Sequence, residues 1–117
     1  MERNLAYLLL ENLYRVFNET DLDKRKGAIA DLWDEDGIFI DPDGVHQGPE
    51  KISAVVTALQ RQFPGSVFKV TSPIQENFSV GPASWEYRPL GGAAIAKGID
   101  VGRMKDRKSF TLYVHID

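Results

Sequence analysis

Cysteine is missing from the chain altogether, which excludes disulfides, thiolate zinc sites and a cysteine nucleophile together. Histidine is scarce: His46 and His115 are the only two. They stand far apart, in neither a His-x-His nor a His-Glu-x-x-His pattern, so no metal site is expected and no cofactor is called for. No apolar run approaches the roughly 20 residues that span a bilayer; the stretch 5–10 ends at Glu11. Neither a membrane span nor a signal peptide is expected, and the expected location is the cytoplasm. An excess of one charge is lacking as well. The 14 basic and 17 acidic residues leave a net charge of −3, too mild for nucleic acid or an anionic membrane as partner. No serine sits in a Gly-x-Ser-x-Gly elbow and no glycine-rich phosphate loop follows a strand, which removes serine hydrolases and nucleotide-binding folds.

What is present is an ordinary globular composition, 43% hydrophobic and 26% charged over 117 residues. That is one domain, residues 1–117, with no repeat, low-complexity tract or linker, and large enough for a core and a pocket. Leu5, Leu8, Leu9, Leu13, Val16 and Phe17 recur at spacings of three and four and predict an amphipathic helix over 2–20. Thr20-Asp21-Leu22-Asp23 supplies caps for a second helix over 24–33, which Asp36-Gly37 breaks. Ile38-Phe39-Ile40 is a short strand before the turn signature Asp41-Pro42-Asp43-Gly44. Pro49 opens a third helix that Pro64-Gly65 stops. The period then changes, and strands are expected over 67–70, 83–90, 93–104 and 110–116. Helices first and strands afterwards make an α+β pattern. The short connections Gly91-Gly92 and 105–108 make consecutive strands antiparallel neighbours. Three helices on one face of a curved antiparallel or mixed sheet then form a cone-shaped roll, with Gly98 and Gly102 suiting the curvature.

Two carboxyls stand out. Asp41 ends an apolar strand before Pro42 and is expected at the lip of the core; the competing reading makes it the first residue of a turn, bonding the amides that follow. Asp100 interrupts a small, apolar strand and shares a face with Gly98, Gly102 and Met104. On the concave face it is a buried carboxyl that a proton or a ligand must compensate; on the other face it is an ordinary partner of Lys97 or Arg103. His46, in the loop after the turn, and His115, on the last strand, read as structural. The acidic run near Asp34 lacks the alternation of a calcium loop. Phe39, Val56, Leu59, Phe63, Trp85 and Met104 are the expected walls of a pocket for a small hydrophobic ligand.

Asp21-Leu22-Asp23, the end Leu32-Trp33-x-Glu35-Asp36, Ile40-Asp41-Pro42 with Gly44, then Gly48, Ile52 and Gly98-Ile99-Asp100-Val101, resemble in order the nuclear transport factor 2-like superfamily. The resemblance is nearest to its SnoaL-like branch. Similar members include polyketide cyclases, ketosteroid isomerases and limonene epoxide hydrolases beside non-catalytic domains, and many dimerise through the outer sheet face. The resemblance therefore implies a homodimer. It implies further that Asp41 is a general base and that Asp100, held protonated, donates to a substrate oxyanion. Tyr14 stands near the place of the isomerases' oxyanion tyrosine, about one residue out of register. Asp106-Arg107-Lys108-Ser109 departs from the usual Asp-Gly-Lys-Ile turn, and no Asp-Arg-Asp set of the epoxide hydrolase kind can be placed. Two functions stay open at this point: proton transfer beside a carbonyl, or a non-catalytic ligand-binding or dimerisation module.

Overall fold

The computed structural model describes residues 3–71 and 80–117. The Asn4 side chain accepts the Tyr7 amide and so opens the first helix with the bond an asparagine N-cap provides. Helix α1 (Leu5–Glu11) continues directly into a π-helical stretch, Asn12–Phe17, so the expected helix is one rod whose second half is wound wider. Helix α2 (Leu22–Leu32) is capped by Asp21, which accepts the Lys24 amide. Helix α3 (Pro49–Gln62) starts at Gly48, whose φ of +90° a side chain would resist. The nearly buried Arg25 of α2 ties α3 down, donating to the Ser53 carbonyl at 3.0 Å and the Thr57 hydroxyl at 2.6 Å.

Six strands, β1 (Trp33–Asp41), β2 (Gly44–Gln47), β3 (Ser66–Val70), β4 (Val80–Pro89), β5 (Ala96–Lys105) and β6 (Lys108–Ile116), form one sheet in the order β2-β1-β6-β5-β4-β3. Every consecutive pair that touches is antiparallel, as the short connections require. The sheet is mixed because β1 lies parallel to β6, a pairing between distant stretches of chain that no local pattern announces. The three helices cover one face, and the core lies between them and the sheet.

Several expected boundaries are corrected. Trp33 closes α2 as its C-cap, its N–H donating to the Ile29 carbonyl, and its extended backbone (φ −111°, ψ 142°) also starts β1; residues 34–37 form an irregular part of that strand before its register with β6 resumes at Ile38. Asp36-Gly37 is therefore not a break. Gly37 lies against the Trp33 ring, where an added Cβ would come within 2.6 Å. The segment around His46 is a strand rather than a loop. Strand β5 begins at Ala96, three residues later than expected, because the preceding residues belong to the turn after Leu90. Gly98 and Gly102 serve close approach: a Cβ at Gly98 would meet the Trp85 indole at 2.5 Å, and one at Gly102 would meet Leu9 at 2.9 Å. No described helix is long and apolar enough to cross a membrane.

Candidate functional site

Between α3, the π-helical stretch and the concave sheet face lies a cavity of about 750 Å³ with a mainly apolar lining. Asp43 and Lys51, both exposed, mark its rim. Strand register delivers the two aspartates to it. Ile40 pairs with Tyr113 and Asp100 with Val114, so Asp41, the next residue of β1, flanks Val114 from one side and Asp100 from the other. Two strand spacings, roughly 10 Å, separate the two backbones. Val114 and both aspartates line the cavity.

Asp100 is 2% exposed, and its Oδ1 accepts the Trp85 indole N–H at 2.7 Å. Burial pushes its carboxyl pKa up to about 7, against the opposing pull of the Trp85 bond. Loss of hydration penalises the charged form more than one hydrogen bond restores. At neutral pH this group therefore exists substantially as a carboxylic acid, a donor set in an apolar wall. Asp41 is held otherwise. Its Oδ1 accepts the amides of Asp43 at 3.0 Å and Gly44 at 3.2 Å, and lies 3.0 Å from His46 Nε2. The turn reading and the cavity reading of Asp41 thus describe one side chain: one oxygen caps the turn while the group faces the cavity.

Of the other expected pocket residues, Phe39, Leu59, Phe63 and Trp85 line the cavity. Tyr14, Val56 and Met104 do not. Tyr14 is 43% exposed, and its hydroxyl accepts the Val70 amide at 3.2 Å away from the cavity lining. Val56 is fully buried in the core, on the part of α3 that meets the rest of the protein rather than the cavity. Met104 packs against the core cluster beyond the register shift at Arg103/Met104.

Sequence reasoning missed His46 as a lining residue. The signal was a hairpin with a two-residue connection: it pairs Phe39 with His46 and so turns both to one face. Phe17, on the apolar stripe of the first helix, and the strand residues Phe68 and Tyr87 are not among the expected pocket walls, and all three line the cavity. The Tyr87 ring lies 4.4 Å from Phe68, and its buried hydroxyl has no hydrogen-bond partner among the described residues; burial raises its pKa. His115 is exposed on the far side of the sheet. Among the described residues no group of three His, Asp or Glu side chains could hold a metal ion.

A helix-covered, curved mixed sheet enclosing an apolar cavity is the architecture of the nuclear transport factor 2-like proteins. The model of the SnoaL-like domain matches residues 10–109, and the chain belongs to the SnoaL-like domain family. Among solved structures, the chain is similar over its full length to 99% of a protein from Agrobacterium tumefaciens assigned as an isomerase of the SnoaL-like family, at 23% identity and a TM-score of 0.88. It is similar over 93% of its length to 94% of a Sinorhizobium meliloti protein assigned as a polyketide cyclase (13% identity, TM-score 0.73). A Catenulispora acidiphila protein with a ketosteroid isomerase-like fold, solved with trimethylamine, matches 92% of this chain over 83% of its own (12% identity, TM-score 0.72). These similarities establish the fold. No curated protein matches the chain in sequence.

Proposed function

We propose that the chain binds a compact, mainly apolar carbonyl compound in this cavity and moves a proton beside its carbonyl, as an isomerase, cyclase or related lyase does. Asp100 carries the reading: a carboxyl 2% exposed, with its pKa raised to about 7, lining the same cavity as Asp41. Asp41 Oδ2 takes the proton from the carbon next to the carbonyl. The C–H electron pair moves toward the carbonyl oxygen, and the Asp100 acid donates to the charge that gathers there. Return of the proton to a different carbon isomerises the compound; attack of the enolate on a second carbonyl cyclises it. Carboxyl groups handle every proton, so the reaction calls for no cofactor. Family membership and the similarity to the Agrobacterium and Sinorhizobium proteins support this class, and the trimethylamine of the Catenulispora protein supports a small ligand.

The test is turnover of a panel of small cyclic enones and β-dicarbonyl compounds by the wild type, Asp41→Asn and Asp100→Asn. A positioned base contributes on the order of 10²- to 10⁴-fold, and Asp41→Asn is expected to lose that much. Equal turnover in that variant sinks the role of Asp41. The rival reading, a non-catalytic ligand-binding module, draws on the capping bonds that already occupy Asp41 Oδ1; it predicts binding without turnover in every form.

We also infer a homodimer through the outer sheet face. Val45 pairs with Ile40, Ile40 with Tyr113, and Tyr113 with Val101, which draws an apolar row across four strands with Val45 65% and Tyr113 53% exposed. A contiguous apolar stripe of this kind favours a covered face.

A further inference from the structure

We propose that His46 is a positioning residue of this site: its imidazole N–H fixes the Asp41 carboxylate so that one defined oxygen, Oδ2, takes the proton. The inference rests on the reading of Asp41 as the base and adds the group that aims it. Asp41 Oδ1 accepts two backbone amides, from Asp43 and Gly44. Because those amides can only donate, Oδ1 is an acceptor, and the nitrogen facing it at 3.0 Å, Nε2 of His46, carries the hydrogen. The neutral ring is therefore held as the Nε2–H tautomer. Two of the three donors are main-chain amides, from Asp43 in the turn and from Gly44, the first residue of β2; the third is a side chain two residues further along β2. A carboxylate held only by the amides of the next few residues keeps freedom about its last bond, and a side-chain donor from the facing strand restricts it. No hydrogen bond falls on Oδ2 among the described residues. The ring also stands beside the Phe39 ring, 6.1 Å between centroids, and both residues line the cavity.

Loss of aim costs rate without costing binding, since the productive geometry spans only a few tenths of an ångström. A purely structural His46, holding the hairpin, would behave differently: its loss would lower stability and leave the turnover of folded protein unchanged. Phenylalanine at position 46 keeps a ring against Phe39 and removes the donor, and glutamine restores a donor.

The experiment uses the full chain and 5-nitrobenzisoxazole, a planar, apolar carbon acid. Removal of its ring C–H proton breaks the N–O bond and releases a coloured cyano-nitrophenolate, the base returning its proton to water. Asp41→Asn is expected to lose most of the turnover. His46→Phe is expected to lower kcat about 10- to 100-fold with KM little changed, and His46→Gln to recover most of that loss. Long-range ¹H–¹⁵N NMR of the wild-type ring is expected to show the Nε2–H tautomer. An Nδ1–H tautomer, or wild-type turnover in His46→Phe while Asp41→Asn is impaired, overturns the role of His46 alone. Wild-type turnover in Asp41→Asn overturns the base reading, and the role of His46 falls with it.

Discussion

A carboxyl group on the wall of an apolar cavity is a stability term that depends on pH. The folded pKa of Asp100, about 7, lies above the ordinary aspartate value near 3.9. Between the two, the folded chain holds a proton that the unfolded chain has released, so stability is full at low pH and falls as pH rises through that window. From pH 5 to pH 8 the loss attributable to Asp100 is about 2 to 3 kcal/mol. Urea melts at the two pH values are expected to show it in the wild type and not in Asp100→Asn; identical pH dependence in both would remove the assignment. The alternation of β5 already put Asp100 on the face of Gly98 and Gly102, but parity cannot say which face is concave. What decides it is the Trp85 indole, seated on Gly98 at a distance no Cβ permits and bonded to Asp100, a contact between strands that no single strand's sequence contains. Asp41 was legible as a turn residue from Asp41-Pro42-Asp43-Gly44, and its second role depends on the neighbouring strand.

The hairpin joining β5 to β6 carries a visible fault. Asp106 and Arg107 both have positive φ, 51° and 67°, the left-handed geometry that two-residue hairpin turns demand and that Asn-Gly or Asp-Gly satisfies. Aspartate tolerates it; an arginine Cβ meets the following carbonyl at a cost of roughly 1 to 2 kcal/mol. Arg107→Gly is expected to raise unfolding stability by about 1 kcal/mol after glycine's greater unfolded-state entropy is counted, read as a higher urea midpoint at unchanged slope. An unchanged or lower midpoint would show that the turn is unstrained. At this scale the sequence was readable wherever periodicity is long, as in α3, and wherever glycine or proline punctuates it, as at Gly48-Pro49. It did not show that β1 starts directly at Trp33, the C-cap of α2, nor the four residues of β2, too few to show a period.

The molecule as a whole has one helix-covered face and one open face. With the row from Val45 to Val101 on the open face, the wild type is expected to sediment as a dimer and Tyr113→Glu as a monomer; a monomeric wild type would leave the row unpartnered and end the inference. The family was legible from short motifs spread along the chain because most mark a turn, cap or close approach and others, such as Ile52, the core, whereas the sheet order was not, since β1 and β6 meet across most of the sequence. That meeting bears on how the protein is made. Strand β6 is the latest of the six in chain order yet lies between β1 and β5, and the two aspartates stand on its opposite flanks. Synthesis runs from the N-terminus, so the strand that bridges the β1–β2 and β3–β5 parts of the sheet is the last of the six to leave the ribosome. The stretch of cavity wall that joins the two aspartates is therefore made of the last strand to be synthesised.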